Sequence, residues 1–349
     1  MKLCLDAHGG DFGLRPNIEA AIKAVSELGV GIVLVGREKE IREEFRRLGQ
    51  NEIPKSIEIL DCKDIIDMGK EPVEECKSKP ESSIMVGCEL VGDKKADAFV
   101  SAGNSGAIMV SSLLKIGRIK GVARPAITVP FPTENGFSLL LDAGANMDSK
   151  PYHLLQFAIM GSIYMKNVAG ISNPKVGILS IGEEETKGNS LVIETIPLLK
   201  NCKLINYYGP VEGRNIPYNL CDVVVTDGFT GNVVLKLSEG LSKFLFKEIK
   251  NGISKSFIYK LGALMMKGVF SEIRKKTNPD EFGGAPLLGI DGVVIVSHGK
   301  SSSYAIFNAL KNAKKLVSEN IIEKMRAEIE QSMDSVKSNA VNGEVNERV

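Results

Sequence analysis

The residues able to do chemistry in this chain are spread over short glycine-rich stretches, of which the densest is Cys221 to Gly240, CDVVVTDGFTGNVVLKLSEG. Asp222 to Thr226 is a β-branched run that reads as a buried strand. Gly228 to Asn232 are loop formers, and Val233, Val234, Leu237 and Leu241 recur at helical spacing. Such a junction presents bare N–H groups at a helix start, which suits an anion. Asn232 either caps that helix or offers its amide to a ligand. Lys187 stands before Gly188 and Asn189 at another such junction, where a compact cation beside free N–H groups can neutralise a phosphate. His298 ends an apolar run; it is either satisfied structurally or donates to an oxyanion or moves a proton. His8 has a similar position, and His153 reads as structural within a helix. There is no nucleophile elbow and no Cys-His signature, so an external nucleophile is expected. Phosphate fits that role, being anionic at neutral pH and needing positioning and charge neutralisation more than a strong base.

The same strand, loop and helix order positions the other candidates. Ala98 to Ser101 runs into Gly103, Asn104, Ser105 and Gly106. Ser138 to Asp142 runs into Gly144, Ala145 and Asn146, and Val176 to Ile181 into the loop holding Lys187. Two outer copies are Leu3 to Asp6, entering His8, Gly9, Gly10 and Asp11, and Val293 to Ser297, entering His298 and Gly299. For Asn104 and Asn146 plain capping is an alternative. If the strands are parallel, all six loops open on one carboxyl edge, where open α/β sheets bind ligands. The alternation from residue 2 to 60 predicts an α/β fold, a Rossmann-like, mostly parallel sheet with helices on both faces.

Composition narrows the class. Across 349 residues, 44 Lys plus Arg balance 43 Asp plus Glu, and tryptophan is absent; neither a basic field nor a base-stacking surface is indicated, so no nucleic acid partner is expected. The six cysteines form no C-x-x-C pair and sit mainly in apolar runs, which predicts free thiols in a reducing cytoplasm. Three histidines without ligand spacing predict no metal site. Neither a signal peptide nor a spanning segment is expected. Gly299-Lys300-Ser301 ends like a P-loop, but the motif's first glycine falls on Val294, and no G-x-G-x-x-G follows the first strand.

Two stretches break the alternation. Residues 62 to 82, with Gly69, Pro72, Pro80, Lys70, Lys77 and Lys79, read as an irregular loop whose lysines either meet an anion or are simply solvated. From Phe229 to Lys276 the pattern is helical, giving a protruding excursion over about 241–280. Between residues 250 and 276, Lys250, Lys255, Lys260, Lys267, Arg274, Lys275 and Lys276 face Glu272 alone. A basic, Met- and Leu-rich segment of this kind lies on an anionic membrane or packs across a dimer interface. The expectation is one domain over 1–330 and a disordered tail over 331–349.

Taken together, the motifs resemble those of the bacterial phosphate acyltransferases. The likeness runs from residue 1 to about 320. It is carried by Asp6-Ala7-His8-Gly9-Gly10-Asp11, Ser101 to Ala107, Ala123-Arg124-Pro125-Ala126, Leu141 to Asn146, Gln156 to Gly161, Ile181-Gly182-Glu183-Glu184, Lys187-Gly188-Asn189, Asp227 to Asn232, Gly284 to Gly289 and Ser297-His298-Gly299. Each motif is weak alone, and the ordered set is specific. His8 stands where the family usually has methionine, Ser105 where threonine is usual, and Lys77 where arginine is common.

The resemblance implies transfer of a long-chain acyl group from acyl-carrier protein to inorganic phosphate in phospholipid synthesis. It implies a homodimer related to phosphate acetyltransferases and isocitrate dehydrogenase-like proteins, with no cofactor. It further implies a cytoplasmic protein held peripherally at the membrane through residues 253–270, with a glycerol-3-phosphate acyltransferase as pathway partner. Lys187, Asn232 and His298 map onto the catalytic group. With the loop reading, the substrate-binding set is Asp6, Gly9, Gly10, Gly103, Asn104, Ser105, Gly106, Asn146, Gly188, Asn189 and Gly231. The alternatives are a phosphate acetyltransferase-like enzyme using coenzyme A and a non-catalytic membrane-surface scaffold.

Overall fold

A computed structural model of the protein describes residues 1–331. The expected alternation opens the chain: β1 (Lys2–Asp6), α1 (Leu14–Leu28), β2 (Gly31–Gly36), α2 (Glu38–Arg47) and β3 (Ile57–Asp61). Helices α3 (Pro72–Ser78) and α4 (Ser83–Gly92) lead to β4 (Ala98–Ser101) and α5 (Ser105–Lys115). A hairpin of β5 (Ala126–Thr133) and β6 (Gly136–Leu141) precedes α6 (Pro151–Val168), β7 (Lys175–Ser180), α7 (Ser190–Asn201), β8 (Asn206–Glu212) and β9 (Val223–Val225). Then come α8 (Gly228–Ser254), α9 (Phe257–Met265), α10 (Lys267–Thr277), β10 (Ala285–Leu288), β11 (Val293–Val296) and α11 (Ser303–Ser318). The tail expected over 331–349 lies outside the described residues except for Gln331, which is helical.

All eleven strands join one sheet, in the order β3-β2-β1-β4-β11-β10-β5-β6-β9-β7-β8. The sheet is mostly parallel but is built from two parallel blocks of opposite sense. In one, β3, β2, β1, β4 and β11 run together; in the other, β6, β9, β7 and β8 do. Three antiparallel steps, β11 to β10, β10 to β5 and β5 to β6, reverse the direction between them. The six loops therefore open on two carboxyl edges rather than the single edge expected. Register brings those edges together: Val296 pairs with Ala285, Leu287 with Ile127, and Leu141 with Thr128. The last residues of β11 and β6 thus stand at nearly the same level while pointing in opposite directions.

Strand periodicity separates the layers. Leu3 and Leu5 of β1, Ala98 and Val100 of β4, and Val293 and Ile295 of β11 join Ile18 of α1 and Leu310 of α11 in one core. The alternate residues Cys4, Phe99 and Val294 face α4 and α5 with Met85, Cys88 and Ile108. Five of the six free cysteines are buried, as their apolar settings predict. Burial pushes the Cys88 thiol up to about 12, so it packs as a small apolar group.

The stretch 62 to 82 is not wholly irregular. Pro72 stands at the start of α3, where its missing N–H is harmless, and the Glu71 carboxylate caps it by accepting from Glu74 N at 2.8 Å. The helical excursion is present but segmented. α8 is 27 residues long, about 40 Å at the usual rise. Ser256 caps α9, its hydroxyl accepting from Ile258 N at 3.3 Å. No residue of α9 or α10 is buried.

Candidate active site

Each block ends in a buried aspartate that ties its loops together. In the first, Asp6 accepts from Ser101 Oγ at 2.7 Å and from His8 N at 3.1 Å. Ser101 Oγ in turn accepts from Gly103 N at 3.0 Å. A Cβ on Gly9 would stand 2.9 Å from the backbone nitrogens of Ala102 and Gly103, and Asp11 N donates to Gly299 O at 2.6 Å. The loops after β1, β4 and β11 therefore touch backbone to backbone. Burial raises the Asp6 carboxyl, opposed by the donors from Ser101 and His8.

In the second block Asp142, directly after β6, accepts at Oδ1 from the backbone N–H groups of Ile127, Gly144 and Ala145. At Oδ2 it accepts from both nitrogens of Asn146, at 2.7 and 2.8 Å. Burial again raises the carboxyl, and these donors pull the other way. The first turn of α8 rests on this loop. A Cβ on Gly231 would lie 1.9 Å from the Asp142 carbonyl oxygen, and Gly228 N donates to Asn146 O at 2.8 Å.

Between the two knots lies a cavity of about 250 Å³, with Ser105, Gly144, Asn232, Lys236, Ser297 and His298 in its walls. Four loops from opposed edges meet here, those after β4, β6, β9 and β11. His298 Nδ1 accepts from Lys300 N at 3.0 Å, so the neutral ring carries its proton on Nε2 and is a donor there. The Asn232 amide makes no hydrogen bond among the described residues. An amide, an imidazole N–H, the hydroxyls of Ser105, Ser297 and Ser301 and a lysine, set against the carboxylates of Glu239 and Asp280, make a donor-rich cavity, fit for an anion or a developing oxyanion.

The structure divides the residues expected from sequence. The capping alternative for Asn232 is overturned, because α8 begins at Gly228 and its cap is Asp227, which accepts from Thr230 N at 2.9 Å. Asn232 lies past the cap with its side chain released to the cavity. Asn104 does cap α5, accepting from Ala107 N at 3.1 Å, and its amide nitrogen clamps the carbonyls of Asp67, Met68 and Lys70. Asn146 is committed to Asp142 and, at 2.7 Å, to Pro125 O. Asn189 caps α7 by accepting from Val192 N at 3.0 Å. Gly10 and Gly188 adopt φ of 102° and 129°, conformations natural to glycine. A Cβ on Gly106 would meet Pro72 of α3 at 2.4 Å. Lys187 is exposed on the loop after β7, outside the cavity wall, and its ammonium has no ion-pair partner among the described residues.

His8 uses its Nε2 to accept from Arg37 N at 3.1 Å, and His153 Nδ1 accepts from Lys150 N at 3.2 Å. Both are structural. Of Lys70, Lys77 and Lys79, Lys79 is consumed by Glu75 at 2.6 Å and Ile65 O at 2.9 Å. Two cavity residues escaped the sequence reading. Lys236 lies one helical turn beyond Asn232, a spacing that places both on one face once the start of α8 is known. Ser297 is 5% exposed and its hydroxyl has no partner among the described residues, a signal visible only in three dimensions.

The family model described as "Fatty acid synthesis protein" matches residues 1–324. The chain is 54% identical over 329 residues to a phosphate acyltransferase of Elusimicrobium minutum, covering 94% of this chain and 96% of that protein. It is 47% identical over 330 residues to a phosphate acyltransferase of Desulfitobacterium hafniense, covering 94% and 98%. Among solved structures, a phosphotransacetylase from Streptococcus pyogenes aligns with TM-score 0.60 and 16% identity over 93% of this chain and 94% of that one. A branched-chain phosphotransacylase from Enterococcus faecalis gives 0.56 and 13% over 91% and 99%. These structural likenesses establish the fold, and the sequence relatives, matched over nearly their whole length, establish the lineage: the chain belongs to the phosphate acyltransferase family of enzymes.

Proposed function

We propose that the chain transfers a long-chain fatty acyl group from acyl-carrier protein to inorganic phosphate, releasing an acyl-phosphate for glycerol-3-phosphate acylation. The observation that carries this reading is the donor-rich cavity between the two opposed loop edges. A phosphate oxygen attacks the thioester carbon, forming the C–O bond and moving the carbonyl pair onto oxygen. The oxyanion then collapses and breaks the C–S bond, and the thiolate leaves to take a proton from water. Asn232 and the Nε2–H of His298 stabilise the oxyanion, while Lys236 in the wall and Lys187 from the neighbouring loop offset the phosphate charge.

The excursion supports two further parts of the reading. Phe257, Ile258, Leu264 and Met265 are largely exposed, Met265 to 84%, and the surrounding charge is basic. Such a surface is suited to an anionic membrane, and the apolar residues left open along α8, among them Leu237, Leu241 and Phe244, suit a homodimer. No helix of the described residues is long and apolar enough to cross a membrane.

The test is release of free carrier-protein thiol from palmitoyl-acyl-carrier protein, with and without phosphate, beside palmitoyl- and acetyl-coenzyme A. Phosphate-dependent release from the carrier-protein donor is expected. Preference for acetyl-coenzyme A would replace the proposed donor, and no release from any donor would leave a scaffold role.

A further inference from the structure

Beside the donor-rich cavity lies a larger one, of about 980 Å³, at the upper end of the roughly 300–1,000 Å³ usual for ligand sites. The two have Val129, Pro130, Leu235 and Glu239 as common walls, so a group reacting beside Asn232 has this second space next to it. The larger cavity lies between β5, one face of α8 and α10. Its lining from α8 includes Leu235, Ser242, Phe246, Ile249 and Ile253, spaced by seven, four, three and four residues as one helical face requires. Phe131 and Phe270 line it from β5 and α10. The eighteen residue steps from Leu235 to Ile253 cover about 27 Å of helix.

We propose that this cavity houses the hydrocarbon chain of the acyl donor, laid along α8 from the thioester beside Asn232 toward Ile253. The assignment rests on the acyl-transfer reading above and adds to it a specific chain site. Three features select a single aliphatic chain as occupant. Length is sufficient, since one acyl layer occupies half of a hydrocarbon core about 30 Å thick. Most of the wall surface is apolar, and the lysines and Arg274 among the lining supply apolar stems with charged ends that reach water, beside Glu134 and Glu239. The shared walls put one end of an occupant next to the cavity that holds Asn232. The cavity is open to solvent along one side, and apolar surface of this extent marks a binding site on a protein surface.

Along α8, Ser238 and Ser242 are small residues on the cavity face, six and ten positions beyond Asn232, or about 9 and 15 Å along the helix. Replacing them with phenylalanine blocks the channel at two depths. The experiment measures phosphate-dependent thiol release from octanoyl-, dodecanoyl- and palmitoyl-acyl-carrier protein by the full-length protein, Ser238→Phe and Ser242→Phe, with binding of a fluorescent polyene fatty acid and its displacement by palmitate. We expect Ser242→Phe to lose palmitoyl turnover at least about tenfold more than octanoyl turnover, because several methylenes are excluded. Ser238→Phe should lose the dodecanoyl donor as well, and both variants should weaken polyene binding. If side chains of a second copy fill the cavity instead, the native protein will not bind the polyene and neither variant will change the chain-length profile, which overturns the assignment. An equal loss for all three donors in folded variants overturns it too. No phosphate-dependent turnover of any donor by the native protein would defeat the underlying acyl-transfer reading itself.

Discussion

The amide nitrogen of Asn232 lies 3.3 Å from the point where a Cβ on Gly144 would stand. Gly144 belongs to the loop knotted around Asp142, and Asn232 to the first turns of α8. The loop after β6 therefore sets the position of a side chain carried by the helix after β9. Gly144 has a φ of 131°, which a residue with a side chain rarely adopts, so glycine is required twice over, for conformation and for approach.

Gly144→Ala is expected to cost about 1–3 kcal/mol in stability from backbone strain and to push the Asn232 amide out of place. Activity should fall toward that of Asn232→Ala, and the double variant should be little worse than either, because both changes remove one interaction. Urea unfolding and thiol-release rates on the four proteins check this. Additive losses would show that Gly144 does not act through Asn232.

Asn232→Ala is expected to lower kcat by about 100- to 1,000-fold, the usual loss when one oxyanion donor is removed. Lys187→Ala and Lys236→Ala act on a ground-state anion, so their effect should fall mainly on the phosphate KM. The split between kcat and KM is the measurement. An unchanged phosphate KM in Lys187→Ala would remove that residue from the site, which its position outside the cavity wall makes a fair trial.

The strands were legible because they obey the simplest rule. Asp222 to Thr226 contains the whole of β9, and Ala98 to Ser101 is β4 without adjustment. Direction was legible only in part. The reversal depends on β5 and β10 inserting between the two blocks. Asn135-Gly136 after β5 and Asp291-Gly292 after β10 are local hairpin signals that the sequence reading passed over, whereas the β10–β5 pairing joins residues far apart in sequence. The site followed the same division. Loop chemistry pointed to Asn232, Ser105 and His298, which do meet. Asp6 and Asn146 were expected near substrate, yet Asp6 accepts from Ser101 Oγ and His8 N, and the Asn146 amide donates to Pro125 O and Asp142, roles that only hydrogen-bond partners reveal. Pro72 read as a breaker because its neighbours are charged, whereas at the first position of a helix proline is favourable.

His8 should make stability depend on pH. Burial lowers its ring below the ordinary histidine value, and Nε2 accepts from Arg37 N, so the folded protein holds the neutral form. The unfolded chain then binds more protons, and the stability present above about pH 6.5 is lost as pH falls through the lower folded value. His8→Met should flatten the fall in unfolding free energy between about pH 7.5 and 5.5. Some slope will remain, because burial also lowers His153. An unaltered slope would mean that His8 is solvated in the folded protein.

The two buried aspartates should respond differently to the same isosteric change. Asp6 accepts from the Ser101 hydroxyl and one backbone N–H, on separate oxygens, with the Ser83 hydroxyl as a further donor free to rotate. In Asp6→Asn the amide oxygen keeps the His8 bond, and the new NH2 donates to Ser101, whose hydroxyl turns elsewhere. Loss should stay near about 1 kcal/mol, the worth of one hydrogen bond. Asp142 has no such freedom. Its Oδ1 accepts three backbone N–H groups and its Oδ2 accepts two from Asn146. In Asp142→Asn, either orientation of the amide sets an NH2 against at least two donors that the loop cannot turn away. Each buried donor left without an acceptor costs about 1–3 kcal/mol, so the variant should lose roughly 2–6 kcal/mol by urea unfolding. Activity should fall with it, because the displaced loop includes Gly144 and carries the start of α8 on which Asn232 stands. If Asp6→Asn proved the more damaging of the two, the organising role would belong to the first knot alone, and Asn232 would have to be positioned by α8 without the loop beneath it.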